Sequence, residues 1–311
     1  MQYFSIEKMN KLSRMPGEFV ADCERDYDQK ILEAARYILK TADTRPLVLL
    51  SGPSGSGKTT TARRIEALLD GWGHETHTLS MDNYFYRRED GVLPLDEEGQ
   101  PDLESPLCID IELLKSHLGR IAAGEPIEMP TFDFANQKRA EKTVPLYRRP
   151  GEIVVMEGIH ALNTEVVGEK ILSDLATGIY VSVRTRVTDD CGYVLHPSKV
   201  RLARRLLRDR TGRGMDFAST VERLQSVSRG ERLYILPNKH RAHITLDTFV
   251  PYEMATYRDE LLDGLSGVDP VLLEDTGVSD LLPMLKKMTP VPRKLVPENS
   301  MIREFIGRNE K

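Results

Sequence analysis

The sequence predicts an α/β protein in which a mostly parallel β-sheet lies between two layers of helices. Two observations support this fold class. Short apolar or β-branched runs alternate along the middle of the chain with stretches whose apolar residues recur at helical spacing. A glycine-rich segment also joins one of these runs to a helix, which is the order of elements that binds phosphate groups.

The middle region, residues 45–250, contains the predicted sheet. Its strand candidates are short, as expected for strands that are buried on both faces. They cover residues 47–50, 76–80, 153–156, 179–183 and 244–246.

Two extensions flank this core. Residues 1–44 predict one helix over 19–39, because Ile31, Ala34, Ala35 and Ile38 have helical spacing. Residues 251–311 predict helices at 252–265, 279–287 and 300–306, and we expect them to wrap around the core rather than to fold alone.

Composition excludes several classes of protein. The chain has 311 residues and a net charge of −5, which predicts no general surface for duplex nucleic acid or an anionic membrane. No apolar run approaches the ~20 residues that span a bilayer, and no secretion signal is visible. Cys23, Cys108 and Cys191 lie far apart, so we expect free thiols in a cytoplasmic protein.

The glycine-rich segment from Gly52 to Thr59 reads G-P-S-G-S-G-K-T and fits G-x-x-x-x-G-K-[ST] in full. A strand candidate precedes it and a predicted helix over residues 60–70 follows, so we expect a P-loop NTPase-type sandwich. Backbone N–H groups and Lys58 are expected to hold phosphates, and the Thr59 hydroxyl is expected to bind Mg²⁺. The nucleotide candidates are Gly52, Ser54, Gly55, Ser56, Gly57, Lys58, Thr59 and Thr60.

Acidic residues follow two other predicted strands. Asp82 comes directly after residues 76–80, and Glu157 directly after residues 153–156. The carboxyl ends of parallel strands share one edge of a sheet, so both side chains should lie near Lys58. There an aspartate could accept a hydroxyl proton and a glutamate could help to hold Mg²⁺. Acidic residues at strand ends can also serve only as helix caps, so one such residue alone would not indicate catalysis. The presence of both beside a phosphate loop favours a catalytic role.

An arginine-rich segment over residues 199–214 has seven basic residues and one acidic residue. Its leucines predict a helix, and Gly212 and Gly214 follow it. A solvated basic face or a nucleic-acid helix is the alternative, although no aromatic residues are interleaved for base stacking. We favour a mobile lid, about 199–216, that covers the transferring phosphoryl group.

With these residues in place, the chain resembles the uridine kinase and phosphoribulokinase family of P-loop kinases over roughly residues 46–250. Besides the phosphate loop, the resemblance rests on S-M-D-N-Y-F at 80–85, D-L-E-S-P at 102–106, M-P-T-F-D-F at 129–134, V-M-E-G-I at 155–159 and R-L-A-R-R-L-L-R-D at 201–209.

The resemblance implies roles for individual residues. Asp82 would be the catalytic base and Glu157 would support magnesium. Lys58 and the lid arginines Arg205, Arg208 and Arg213 would act on the transferring group. On the acceptor side, Glu104 would contact ribose hydroxyls, and the rings of Phe132 and Phe134 would flank the base. His160 is a further candidate because it directly follows the Glu157 loop. The substrate candidates are thus Tyr84, Glu104, Phe132, Phe134, Arg139 and His160.

The chain departs from the family pattern on the substrate side. Uridine kinases usually have aspartate at the position of Glu104, histidine at Gln137 and arginine at Met215, and residues 186–198 look like an insertion. The ending over residues 296–307 is similar to the tail of a bacterial uridine-kinase-like subgroup. We expect the extra N-terminal domain of that subgroup to be missing here.

The sequence therefore predicts an ATP- and Mg²⁺-dependent kinase of a small-molecule hydroxyl, with a nucleoside such as uridine as the first choice. A kinase of a sugar phosphate or another non-nucleoside alcohol is the alternative within this chemistry. A nucleotide-sensing protein without phosphoryl transfer is the alternative from another class. We expect no nucleic acid or membrane partner, and a homo-oligomer remains open.

Overall fold

The computed structural model describes residues 2–86, 93–133 and 138–307. The helices in these ranges are α1 Ile6–Leu12, α2 Pro16–Thr41, α3 Lys58–Gly71, α4 Ile111–Ala123, α5 Thr164–Val167, α6 Pro197–Arg213, α7 Phe217–Glu222, α8 Leu224–Gly230, α9 Glu253–Ser266, α10 Pro270–Asp275, α11 Leu281–Lys287 and α12 Arg303–Ile306. Within those ranges, no helix is long and apolar enough to cross a membrane.

The strands are β1 Tyr3–Ser5, β2 Leu47–Ser51, β3 Thr76–Ser80, β4 Ile127–Met129, β5 Phe132–Asp133, β6 Lys138–Arg139, β7 Val144–Leu146, β8 Ile153–Glu157, β9 Ala176–Ser182, β10 Arg186–Thr188, β11 Val194–Leu195 and β12 Ile244–Asp247. The predicted strands correspond to β2, β3, β8, β9 and β12. The central sheet that they form has the order β12-β9-β2-β8-β3, and each neighbouring pair is parallel.

The central sheet separates two apolar cores. On β2, Val48 and Leu50 pack into one core, whereas Leu47 and Leu49 pack into the other. Alternate residues of a strand point to opposite faces, so a strand buried on both faces must be apolar throughout. This arrangement confirms the predicted three-layer α/β fold.

Strand β9 begins three residues before the prediction of 179–183. Ala176 and Thr177 pair with Leu47 and Val48 of β2 and are fully buried. Their small side chains gave no apolar run, so only the pairing with β2 reveals that they belong to the strand.

The two extensions pack into the larger apolar core, on the face of the sheet that also carries α3 and α6. Helix α2 is longer than expected because Pro16 occupies its first turn, where proline loses no hydrogen bond. The predicted C-terminal helices at 279–287 and 300–306 are shorter than expected, since residues 278–280 form a 3-10 turn and α12 begins only at Arg303.

Residues 186–198, which look like an insertion, take part in a second small sheet. Strand β10 pairs in parallel with β1 at the N-terminus and antiparallel with β11. The segment therefore fastens the N-terminal strand to the core rather than forming a free loop.

The arginine-rich segment forms α6, and most of this helix is part of the core. Val200, Leu202, Ala203, Leu206 and Leu207 are buried in the larger apolar cluster. Burial holds the first turns of this helix in place, and the mobile lid over 199–216 stays a prediction. Within 199–216, the exposed residues are 210–214 and Asp216, all at the C-terminal end.

Candidate active site

The phosphate loop joins β2 to α3, as the motif requires. A Cβ atom at Gly52 would collide with the carbonyl oxygen of Val181, and one at Gly55 would lie 2.7 Å from that of Arg201. Gly55 and Gly57 also have φ values of +73° and +85°, which glycine adopts without strain. The loop thus packs too closely on β9 and α6 for larger residues.

A buried ion pair supports the loop from α6. The guanidinium of Arg204 donates to the carbonyl oxygen of Gly55 at 3.2 Å and to both carboxylate oxygens of Glu253 at 2.6 and 2.9 Å. The hydroxyl of Thr248 donates to the carbonyl oxygen of Ser56 at 2.7 Å. These contacts hold the carbonyl groups of Gly55 and Ser56 against α6 and the segment after β12.

The residues of the loop fit a bound phosphate chain. The buried Ser56 hydroxyl has no hydrogen-bond partner within the described ranges, and Lys58 Nζ donates to the carbonyl oxygen of Pro53 at 3.2 Å. Burial lowers the pKa of Lys58, while Glu157, Glu304 and Asp82 oppose that shift. A desolvated cation at a helix N-terminus is well suited to bind anions.

Thr59 and Glu157 form a suitable pair of oxygen ligands for Mg²⁺. The Thr59 hydroxyl donates to Oε1 of Glu157 at 3.4 Å. Burial raises the pKa of Glu157, and the charge of Lys58 lowers it. Hard oxygen ligands next to a phosphate site are what Mg²⁺ requires, so these two residues could hold the ion.

Asp82 lies on the same edge of the sheet as the loop. It belongs to the 3-10 turn Met81–Tyr84 that follows β3, and Ser80 of β3 is paired with Glu157 of β8. Burial raises the pKa of Asp82, and the charges of Lys58, Arg213 and Arg208 lower it. Three cations of the candidate site therefore act on this carboxylate.

A close backbone approach holds the Asp82 turn against the Glu157 strand end. A Cβ atom at Gly158 would lie 2.5 Å from Sδ and 2.7 Å from Cβ of Met81. A side chain at position 158 would push away the turn that carries Asp82. The glycine therefore brings the two carboxylates together.

The predicted lid arginines surround Asp209, which sequence reasoning missed. Arg205, Arg208 and Arg213 lie 3.3, 2.8 and 3.3 Å from its carboxylate oxygens, and Asp209 is fully buried. The signal was available, because residues 205, 209 and 213 have the i, i+4 spacing of one helix face. Asp209 orients these guanidinium groups at the end of α6.

Glu104 and His160 are two of the predicted substrate residues, and the charge of Lys58 acts on both. Burial raises the pKa of Glu104, whereas Arg205 and Lys58 lower it. His160 is 1% exposed, and burial lowers its pKa to about 4. A hydrogen bond with the backbone of Glu104 opposes this shift of the His160 pKa.

Two other substrate candidates, Tyr84 and Arg139, make hydrogen bonds to protein groups. Tyr84 is fully buried, and its hydroxyl is 3.0 Å from Nδ1 of His117 in the smaller core. Arg139 donates to Asp110 at 3.2 Å and to the carbonyl oxygen of Tyr84 at 3.1 Å. These hydrogen bonds fix the positions of both side chains, and the substrate contacts of Tyr84 and Arg139 stay predictions.

The two predicted base-flanking rings are only partly covered by the structure. Phe132 is half-buried and packs edge-on against Phe85, with ring centroids 5.8 Å apart. Phe134, and Gln137 of the substrate-side departures, lie outside the described residues.

Sequence reasoning also missed Glu304. Its carboxylate accepts hydrogen bonds from the backbone N–H of Thr60 at 3.2 Å and from the Thr60 hydroxyl at 2.8 Å. No local pattern could have indicated this contact, since 244 residues separate the partners.

Comparisons with known proteins agree with this geometry. The family model described as Phosphoribulokinase / Uridine kinase family matches residues 47–253. A uridine kinase of Deinococcus deserti is 31% identical over 208 residues, which is 66% of this chain and 89% of that protein. A uridine kinase of Geobacillus sp. is 30% identical over 204 residues, which is 65% of this chain and 86% of that protein.

Among solved structures, a possible uridine kinase from Bacillus stearothermophilus is similar in fold. It superposes with a TM-score of 0.51 at 16% identity and covers 71% of this chain and 100% of that chain. At this identity the similarity concerns the fold alone.

Proposed function

Because the chain belongs to the phosphoribulokinase and uridine kinase family, we propose that this ATP-dependent kinase phosphorylates a primary hydroxyl of a nucleoside such as uridine. The supporting observation is that a complete phosphate loop after β2 and the Asp82 carboxylate after β3 lie at the same edge of the sheet, with only β8 between their strands. Asp82 experiences the charges of Lys58, Arg208 and Arg213. A hydroxyl held by Asp82 would face the phosphates that Lys58 holds.

On the nucleotide side, we propose that the loop amides and Lys58 hold the β and γ phosphates of ATP. Thr59 and Glu157 would hold Mg²⁺, which supplies positive charge to the phosphate oxygens when bound. Lys58 would then have an anionic partner in place of the weak contact with the carbonyl oxygen of Pro53.

For the transfer itself, we propose that Asp82 accepts the proton of the acceptor hydroxyl. Arg205, Arg208 and Arg213 would neutralise the charge that develops on the transferring group, with Asp209 keeping them oriented. Phosphoryl transfer has a loose transition state, so positioning and neutralisation of charge supply most of the acceleration.

On the acceptor side, Glu104 is suited to accept hydrogen bonds from vicinal hydroxyls. His160 would contribute a neutral donor or acceptor nearby, and the ring of Phe132 an apolar wall. A sugar phosphate is the second candidate acceptor, because Glu104 and Met215 depart from the nucleoside kinase pattern. The cytoplasmic location and any homo-oligomer remain predictions.

Product analysis tests this proposal. The purified chain is incubated with MgATP and a panel of nucleosides, sugar phosphates and other alcohols, and mass spectrometry detects the addition of one phosphoryl group. We expect a nucleoside monophosphate, and we expect the Asp82→Asn protein to form far less of it. Phosphorylation of sugar phosphates alone would favour the second acceptor, and ATP binding without any product would favour the nucleotide sensor.

A further inference from the structure

The C-terminal segment places a carboxylate at the start of α3, where the phosphate loop ends. Oε2 of Glu304 accepts hydrogen bonds from the N–H of Thr60 at 3.2 Å and from the Thr60 hydroxyl at 2.8 Å. The first N–H groups of a helix have no partner within the helix, and in a phosphate loop they face the bound anion. Glu304 thus occupies donors that a phosphate oxygen would use.

The charge of Glu304 also reaches the rest of the candidate site. It opposes the lowering of the Lys58 pKa and contributes to the raised pKa of Glu157. A phosphate chain held by Lys58 would therefore lie close to the negative charge of the Glu304 carboxylate. The Glu304 carboxylate and a bound phosphate would repel each other, because both are negatively charged, and the repulsion is stronger where water is excluded.

The backbone around Glu304 is anchored, whereas its side chain is only half-buried. Met301, Phe305 and Ile306 are buried in the larger core, and Met301 lies against Gly57 of the loop. The guanidinium of Arg204, which supports the loop, lies 5.1 Å from the ring centroid of Phe305. The segment therefore stays in place while a rotation of one side chain can free Thr60.

We propose that Glu304 is an autoinhibitory carboxylate that competes with a phosphate group of the nucleotide for the hydrogen-bond donors of Thr60. Nucleotide binds in full only when the Glu304 side chain has turned away from α3. The inference rests on the ATP-dependent activity of the proposed function, and it adds a control of nucleotide affinity by the C-terminal segment. The apparent affinity for ATP is reduced by the fraction of molecules in which Glu304 holds Thr60.

The test compares ATP binding to the unchanged protein with binding to Glu304→Gln and Glu298→Gln, using titration calorimetry with MgATP. The Glu304→Gln substitution keeps the length of the side chain but removes its charge. Glu298 is a matched control because it belongs to the same segment and its side chain is 60% exposed. We expect Glu304→Gln to bind ATP about three- to tenfold more tightly, and Glu298→Gln to bind it as the unchanged protein does.

Equal or weaker ATP binding by Glu304→Gln would overturn the inference, and so would the same tightening in Glu298→Gln. Should Glu304→Gln fail to fold, Glu304→Asp takes its place, because a side chain one methylene shorter withdraws the carboxylate from Thr60. Tighter ATP binding by Glu304→Asp would support the inference, and unchanged binding would refute it.

The calorimetric readout separates this inference from the proposed acceptor. Tighter ATP binding by Glu304→Gln, combined with inert nucleosides, would leave the inference standing and remove the proposed acceptor. If none of the proteins bound ATP, the proposed function and the inference would both fall.

Discussion

Two opposed influences act on the ionised form of Asp82. Burial disfavours this form, whereas the neighbouring cations favour it. Such opposed influences are common at catalytic groups, because a base needs both a defined position and a usable proton affinity. Two measurements at this residue test its assigned role.

The first measurement concerns Asp82→Asn. We expect turnover to fall by about 10²- to 10⁴-fold, because an amide cannot accept the hydroxyl proton. The dissociation constant for ATP should change by less than about threefold, since the phosphate loop is untouched. Asp43→Asn, at an exposed position, is the control and should keep full turnover. Near-normal turnover of Asp82→Asn would refute the role of Asp82 as base.

The second measurement is the pH dependence of kcat/KM. Asp82 must be ionised to act as base, and burial raises its pKa above the ordinary value of 3.8. Activity should therefore fall as pH decreases through this raised pKa, at a higher pH than an ordinary aspartate would give. Glu104 and Glu157 have raised pKa values too, so the acid limb of the pH profile reports the coupled titration of all three carboxylates. An acid limb confined to pH values below about 4 would contradict the raised pKa of Asp82.

At the scale of elements, α6 divides its arginines between structure and chemistry. Arg204 faces the core, where it binds Glu253 and the phosphate loop, and both side chains of this ion pair are fully buried. Arg205, Arg208 and Arg213 instead meet at Asp209, and the charges of Arg208 and Arg213 act on Asp82. The sequence analysis treated these arginines as one group in a predicted lid, but the helix directs Arg204 to a different set of contacts from Arg205, Arg208 and Arg213.

The buried pair gives a prediction about stability. Arg204→Met should lower the free energy of unfolding by about 3–5 kcal/mol, because it leaves the Glu253 charge buried without its partner. The double variant Arg204→Met/Glu253→Gln should recover part of that loss. Urea unfolding measures both, with Arg210→Met as the matched control. The Arg210 side chain is 46% exposed, and its replacement should cost less than about 1 kcal/mol. Equal losses for the two arginines would contradict a supporting role for Arg204.

At the scale of the whole molecule, the two extensions and the core meet in one network. Oε1 of Glu24 in α2 accepts hydrogen bonds from the hydroxyls of Tyr252 and Ser300, each at 2.6 Å. The larger apolar core likewise includes side chains from α2, the sheet and α12. The phosphate loop is thus supported by segments from both ends of the chain, which is how a residue as distant as Glu304 reaches Thr60.

Local sequence was sufficient to locate the five strands of the central sheet and the phosphate loop. The strand β3 follows the prediction of 76–80, because a short run bounded by turns has few alternatives to a buried strand. The loop motif likewise carries its own geometry, since its glycines, its lysine and the following helix are contiguous. The placement of Asp82 and Glu157 at one edge then follows from the parallel order of the strands.

Long-range packing was needed for the remaining features. Tyr84 belongs to the same turn as Asp82, yet its hydroxyl turns to His117 in the core. Arg204 and Arg205 are adjacent, yet one supports the loop and the other faces Asp209. Glu304 contacts the loop across most of the chain. Contacts between distant segments depend on how the layers pack, and a linear pattern of residue types contains no information about them.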